Sequence, residues 1–488
     1  MIRLVAATLL TLAALALLGN AQAQTLDRTY GTDGYAALDL EASAVAVTDL
    51  VLDPKDRALI ATRLGASGAT LARSAPDGTA DAEFGTDGQR TIPNAVINGL
   101  HVLSDETIYA SGRRDGGALL VRMSEDGTTT GQWRYLFDAP AEAVSVTQPR
   151  EGVIAMAVRL QTASGPRCGV LVVDEDGGRI DAFGEEGLVT VPGAADCDPA
   201  TVLAFGDRIV LVGSSGNEEE RLVLAAAFGA DGRPDMAFGT EGVALGGFPD
   251  EAQIARDAVV TPEGDLLVAG EHEKSVFGVL LVRFQSNGAP ALTGSNGVMW
   301  VPHPTPSLAL ESGALAVALD ARGQAFVPTT SADRTALGKF DERGELATPF
   351  GTTGFARFEP REGMASAGHE VGFDQFGRLY LAGMSEMEDG TEAAFVARII
   401  GAQVVSNETA PETGTLALAP NPTRGAVSLT LPQRGTVTVF DALGREVLRQ
   451  DAPAGRLGLS TDRLAPGVYS VIATTEDQRH VARLTVVR

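Results

Sequence analysis

The chain's five histidines, His101, His272, His303, His369 and His480, are the residues first tested for metal or acid–base chemistry. A zinc hydrolase motif needs two histidines four apart with a glutamate beside the first. No pair has that spacing. His369-Glu370 lacks the second histidine, and Glu271-His272-Glu273 is a charged run directly after a strand, which reads as a solvated loop. A serine nucleophile elbow needs Gly-x-Ser-x-Gly. Gly213-Ser214-Ser215-Gly216 does not have that spacing and reads as a turn. The acidic runs Asp174-Glu175-Asp176-Gly177 and Asp341-Glu342-Arg343-Gly344 lack the full set of oxygen ligands that a calcium loop requires. They are the Asx-type turns expected between paired strands. Two cysteines, Cys168 and Cys197, exclude a Cys-x-x-Cys metal or redox site. In an exported chain they suit one disulfide, with two buried thiols as the alternative. No catalytic, cofactor-binding or metal-ligating residue is therefore expected.

The elements that would position any site are set by a recurring phrase. Tyr30-Gly31 opens GTDGYAALDL, and Phe84-Gly85, Phe183-Gly184, Phe238-Gly239 and Phe350-Gly351 open related segments, adjacent copies lying roughly 50 to 57 residues apart. A period of that size, in units that read as strands, predicts a β-propeller. The unit from Phe238 to Thr293 reads as four short strands separated by Pro-Glu-Gly and Ser-Asn-Gly turns, hence one blade. The third strand of this unit recurs seven times, from Ala58-Leu-Ile-Ala-Thr62 to Leu379-Tyr-Leu-Ala-Gly383, and so does the fourth. Two units have lost the aromatic-Gly opening, one near Trp133 and one near Gly294. The opening rings Tyr30, Phe84, Phe183, Phe238 and Phe350 are expected to be blade anchors. Each precedes a glycine turn where a ring can pack between neighbouring blades.

In order, FGxxGxV, DGxLLVAG and LVRxxxDG resemble the delta-60 repeat, a bacterial β-propeller repeat, over about Leu26 to Gly401. The resemblance implies the fold and no assigned activity. A second resemblance covers the C-terminal module. Asn421-Pro422, then Val439-Phe440-Asp441-Ala442-Leu443-Gly444-Arg445, then Leu464-Ala465-Pro466-Gly467-Val468-Tyr469 resemble the motifs of the type A C-terminal sorting domain of the type IX secretion system of Bacteroidota. Phe440, Asp441, Gly444, Arg445, Gly467 and Tyr469 carry the likeness, with Asn421 and Pro422 at its start. It implies recognition by the type IX machinery, passage across the outer membrane, and attachment at the surface or release. A further Ig-like structural domain is the alternative for this module.

The rest of the chain is consistent with that destination. Arg3 and the uncharged apolar run from Leu4 to Leu18 precede Ala21-Gln22-Ala23, the pattern of a signal peptide cleaved before Gln24. About 15 apolar residues are short for a membrane span, and no other stretch could cross, so the mature chain is expected to lack a transmembrane segment. The net charge is −25 and there are three lysines, Lys55, Lys274 and Lys339. Such a surface offers no basic stripe for nucleic acid or anionic lipid. From Thr415 to Arg488 nine arginines face six acids, so the acidity belongs to the repeats.

The expected architecture is all-β: a signal peptide over 1–23, a seven-bladed β-propeller over 24–402, a linker over 403–414, and a small Ig-like β-sandwich, the sorting domain, over 415–488. The expected function is non-enzymatic binding or scaffolding at the cell surface or in the medium, toward a glycan or extracellular protein and without cofactor. The alternative is a secreted hydrolase or lyase with an acidic site in the central channel. A catalytic propeller would gather perturbed acids and an arginine in one channel. A binding propeller would expose aromatics on one rim.

Overall fold

A computed structural model describes residues 25–38, 46–65, 68–194, 196–217, 219–248, 251–272, 278–291, 298–302, 314–331, 334–348, 350–351, 354–360, 364–387, 390–400 and, in the C-terminal module, 412–415, 423, 425–431, 433–440, 446–461, 464–465, 467–475 and 478–486. The chain divides into two compact units, Met1–Gln403 and Val404–Arg488. Among the described residues there is no helix, and the strands of the first unit form six antiparallel sheets of four strands and one of five. Each sheet is a blade of a seven-bladed propeller, numbered in chain order from blade 1, whose first strand is Ala46–Leu52, to blade 7, whose first strand is Ser366–Phe373. The first strands of adjacent blades pack against one another and surround the centre.

The sequence repeat is out of phase with the blades by one strand. Val243–Gly246, which follows the Phe238-Gly239 phrase, pairs with Arg221–Phe228 and completes the blade before it. The unit Phe238–Thr293 is therefore not one blade, as its four strands suggest, but the outer strand of one and three strands of the next. The offset has a structural use. Thr25–Leu26 and Tyr35–Leu38, at the N-terminal end of the repeats, pair antiparallel with Glu392–Ile400 of the last blade. The first and last repeats thus share a sheet, and the ring closes through backbone hydrogen bonds. Arg398 reinforces the junction. Its guanidinium pairs with Asp27 at 2.8 Å, donates to the Pro76 carbonyl at 2.6 Å and lies 4.7 Å over the Tyr30 ring.

The aromatic-Gly phrase is a clasp between neighbouring blades. The Gly31 amide donates to the Asp77 carbonyl at 2.6 Å, Gly85 to Asp126 at 2.8 Å, Gly184 to Asp231 at 3.1 Å and Gly239 to Asn287 at 2.8 Å. Each acceptor lies in the x-Asp/Asn-Gly turn that follows a third strand. The glycine of that turn lies against the glycine of the phrase: a Cβ on Gly78 would fall 2.3 Å from the Gly31 nitrogen, and one on Gly288 2.7 Å from the Gly239 nitrogen. Both glycines also have positive φ, so two independent constraints select them. The third-strand arginine makes a parallel contact. Arg73 donates to Glu125 O at 2.5 Å, Arg122 to Glu175 O at 2.7 Å and Arg283 to Glu342 O at 2.5 Å. Where the phrase is lost near Trp133, the indole takes over the packing: a Cβ on Gly177 would meet it at 2.2 Å.

Tyr30, Phe84, Phe183, Phe238 and Phe350 are all buried. Phe238 meets Phe205 of its own blade edge-on at 6.4 Å and shares a core with Leu280, Val282 and Phe284 of the next. Phe238→Ala is expected to lower stability by about 3 to 5 kcal/mol, read as a lowered melting temperature by circular dichroism. An unchanged melt would contradict the anchor role. Cys168 and Cys197 form a disulfide with a Cα–Cα distance of 5.3 Å, both buried, joining the third strand of blade 3 to the first strand of blade 4.

The second unit holds a five-stranded and a two-stranded sheet. One core of Val427, Leu429, Val437, Val439, Leu459 and Val471 lies among them. Glu412–Thr415, the end of the stretch read as a linker, is instead a strand parallel to Gln478–Val486. Phe440 ends the strand Gly435–Phe440, and Gly467 opens Gly467–Thr475. Tyr469 is buried, and its hydroxyl donates to the Ala465 carbonyl at 2.8 Å, fixing the turn before its own strand. Ala21, Ala23, Gln24, Asn421, Pro422, Asp441, Gly444 and Arg445 lie outside the described residues. No helix among the described residues is long and apolar enough to cross a membrane.

Candidate functional site in the central channel

The first strands converge on a cavity of about 260 Å³ lined by residues of all seven blades. Six of these strands carry a β-bulge at the same place, after Val47, Ile97, Ala143, Pro199, Ala255 and Gly368. A bulge re-aims the residue it inserts, and here several inserted side chains reach the neighbouring blade. The Thr48 hydroxyl donates to Ile97 O at 2.8 Å, Asn98 Nδ2 to Ala143 O at 3.0 Å, and His369 Nδ1 to Val47 O at 3.1 Å.

The residue after the bulge is Asp49, Gly99, Ser145, Thr201, Asp257 or Glu370. Asp49 accepts from the Leu50 amide at 2.7 Å and from Leu100, one blade on, at 2.6 Å. Asp257 accepts from Ala258 at 2.8 Å and from Val317, one blade on, at 3.0 Å. Ser145 shares a hydrogen bond with Thr201 at 3.1 Å. Arg256, exposed at the mouth, donates to Glu271 at 2.8 Å.

Three carboxylates therefore face one another across the channel. Burial pushes Asp49 up to about 7, and the charge of Asp257 adds to the shift, against the two amides that favour the charged form. Burial likewise pushes Asp257 up to about 6. Glu370 is raised well above the usual range, first by burial and then by the charges of Asp49 and Asp257. Burial holds His101 and His369 below the ordinary histidine value, hence neutral. Unfolded aspartates ionise near pH 4 whereas Asp49 keeps its proton to about pH 7. Its contribution to stability is thus complete at pH 4 and lost as pH rises to 7, on the order of 3 kcal/mol. Asp49→Asn removes that titration. The melting temperature of the variant relative to wild type is expected to rise by several degrees between pH 4.5 and 8. A difference independent of pH would contradict the buried acid.

Sequence reasoning reaches Glu370 only beside His369, as a fragment of a zinc motif, and does not reach Asp49 or Asp257. A signal was present. Each acid interrupts an apolar strand four residues before the first position of the next turn, in TDLVLD, RDAVVT and HEVGFD. Two other sequence expectations change. His272 is buried within Leu266–His272 and not on a solvated loop; its Nε2 pairs with the Glu251 carboxylate and its ring meets Phe248 at 5.8 Å. Ser214 is likewise in a strand, Arg208–Gly216, and its hydroxyl accepts from the Ala255 amide at 2.7 Å. The Asp174 and Asp341 carboxylates accept from amides of their own turns, Asp176 at 3.0 Å and Arg343 at 2.9 Å. Among the described residues no three His, Cys, Asp or Glu side chains are grouped to hold a metal ion.

Residues 417–487 match the model of the secretion system C-terminal sorting domain. The chain is exported by type IX secretion to the cell surface or extracellular space. No curated protein matches it. Three solved structures show its range of likeness. One is PorZ, an essential bacterial surface component of the type-IX secretion system of Porphyromonas gingivalis, at 12% identity and a TM-score of 0.22, covering 91% of this chain and 81% of that one. Another is the PQQ-bound aldose sugar dehydrogenase of Streptomyces coelicolor, at 14% and 0.38, covering 75% and 98%. The third is a protein of unknown function from Dyadobacter fermentans, at 10% and 0.39, covering 78% and 98%. At these identities and scores none of them carries an argument about this chain.

Proposed function

We propose that the mature protein is a recognition propeller of delta-60 type from a member of the Bacteroidota, binding a glycan or extracellular protein. A signal peptide over 1–23 delivers it to the periplasm, and the sorting domain over 415–488, whose sheet is extended by the strand Glu412–Thr415, carries it outward. One observation carries the binding reading: Asp49 and Asp257 are each committed to two backbone amides. They stitch blade to blade and do not form a free catalytic pair. The mouth also presents hydroxyl, amide and guanidinium groups on Thr48, Asn98, Thr201 and Arg256, suited to a hydroxyl-rich ligand or a polar protein surface. The strands alternate in direction, so the connections between blades and the hairpins between second and third strands share the face at this mouth. That face has the loops the repeat leaves unspecified.

Glu370 favours the second reading. Burial and the charges of Asp49 and Asp257 raise its carboxyl well above the usual range, and it lines the same cavity as Arg256, the composition expected of a general acid in a hydrolase or lyase site. An exposed aromatic is supplied by Phe376, in the turn on the opposite face. A glycan and protein binding screen of the mature chain beside a polymer hydrolase panel separates the two. Binding without turnover is expected. Turnover abolished by Glu370→Gln would replace this reading by the second.

A further inference from the structure

We infer that a second cavity on the mouth face, between blades 6 and 7, binds the ammonium group of a lysine side chain on a partner protein. It deepens the recognition reading and rests on it. The cavity is about 290 Å³, and its lining includes Thr330, Ser366, His369, Met384, Glu386 and Glu392.

Three features point to a cation with hydrogens to donate. Glu386 and Glu392 stand directly opposite each other across the hairpin of blade 7. Like charges in that relation destabilise a sheet, and here they sit on a chain of net charge −25. Among the described residues neither glutamate forms an ion pair, and no lysine or arginine lines the cavity. His369 adds an acceptor. Its Nδ1 bonds to the Val47 carbonyl, which can only accept, so the proton is on Nδ1. The ring is held neutral by burial, which leaves Nε2 with a lone pair.

Two carboxylates and an imidazole nitrogen suit an ammonium, which hydrogen-bonds to oxygen at roughly 2.8 Å. The described residues include no grouping close enough to chelate a metal ion. The cavity wall also contains Met384, Ala365 and Ala367. An apolar wall ending in acceptors matches a lysine stem and its charged tip. The strongly acidic chain steers basic proteins toward it, which favours lysine over the amine of a sugar.

The test is calorimetric titration of the full-length protein at low salt with an end-blocked Gly-Lys-Gly tripeptide. Its norleucine counterpart and glucosamine serve as comparisons. Saturable binding of the lysine peptide is expected, about tenfold weaker for norleucine and in the Glu386→Gln/Glu392→Gln double variant. That variant loses a repulsion, so its melting temperature should match or exceed wild type, and a folding defect would not mimic the result. Equal affinity for norleucine, absence of lysine binding, or lysine binding unchanged in the variant would overturn the proposal. Binding of glucosamine in place of the peptide would overturn it in favour of an amino sugar. Glycan or protein binding that persists while the lysine peptide fails would leave the recognition reading intact.

Discussion

A chain ending at Gly414 is expected to be retained in the periplasm and to be absent from the cell surface and the medium. The effect expected is complete, because the address is a folded object. Val427, Leu429, Val437, Val439 and Val471 share one core, and the strand Gln478–Val486 lies between Gly467–Thr475 and Glu412–Thr415 in the sheet. Removing the module therefore removes the whole recognition surface, not one contact. Fractionation and immunoblotting of cells expressing the full and truncated chains check this. Truncated protein in the medium at wild-type level would contradict the export role of residues 417–487.

Deleting Thr25–Leu38 should have the largest effect on folding. These residues supply the outer strands of the last blade, the Tyr30 anchor and the Asp27 partner of Arg398. Loss of a single buried ring costs about 3 to 5 kcal/mol, and the deletion also frees the edge of Glu392–Ile400 and leaves Arg398 without its carboxylate. An unpaired buried charge adds several kcal/mol. The shortened chain is expected to lose its cooperative thermal transition, and a peptide spanning 25–38 should restore it in part. A wild-type transition in the deleted chain would show that the ring is held without this closure.

Much of the architecture was legible because its signals are local. An aromatic before a glycine, a glycine-ended turn and alternating apolar residues recur in each unit, and they specify strands and turns wherever they occur. The blade boundaries were not legible from them. Whether Val243–Gly246 joins the strand before or after it depends on pairing with Arg221–Phe228, a relation between segments that no local pattern encodes. The same holds for the clasp. Gly31 and Gly78 each read as ordinary turn glycines, and only the fold brings the Gly31 nitrogen against the position of a Gly78 side chain.

The site was the least legible part. Asp49, Asp257 and Glu370 lie in different repeats, more than a hundred residues apart in sequence, and become neighbours because the propeller is a ring. His369-Glu370 was considered only as a fragment of a zinc motif. Its actual contributions are separate: the histidine bonds to Val47 at the closing junction, and the glutamate faces the channel. A bulge at a fixed offset in six of the first strands creates both roles, and bulges have no dependable signature in a single sequence.

The most direct test of the recognition account applies the purified mature protein to arrayed glycans and extracellular proteins, with polymer turnover followed in the same samples. The account predicts saturable binding without turnover, weakened by Asn98→Ala and Arg256→Ala at the channel mouth. Release of products from any polymer, abolished by Glu370→Gln, would contradict it.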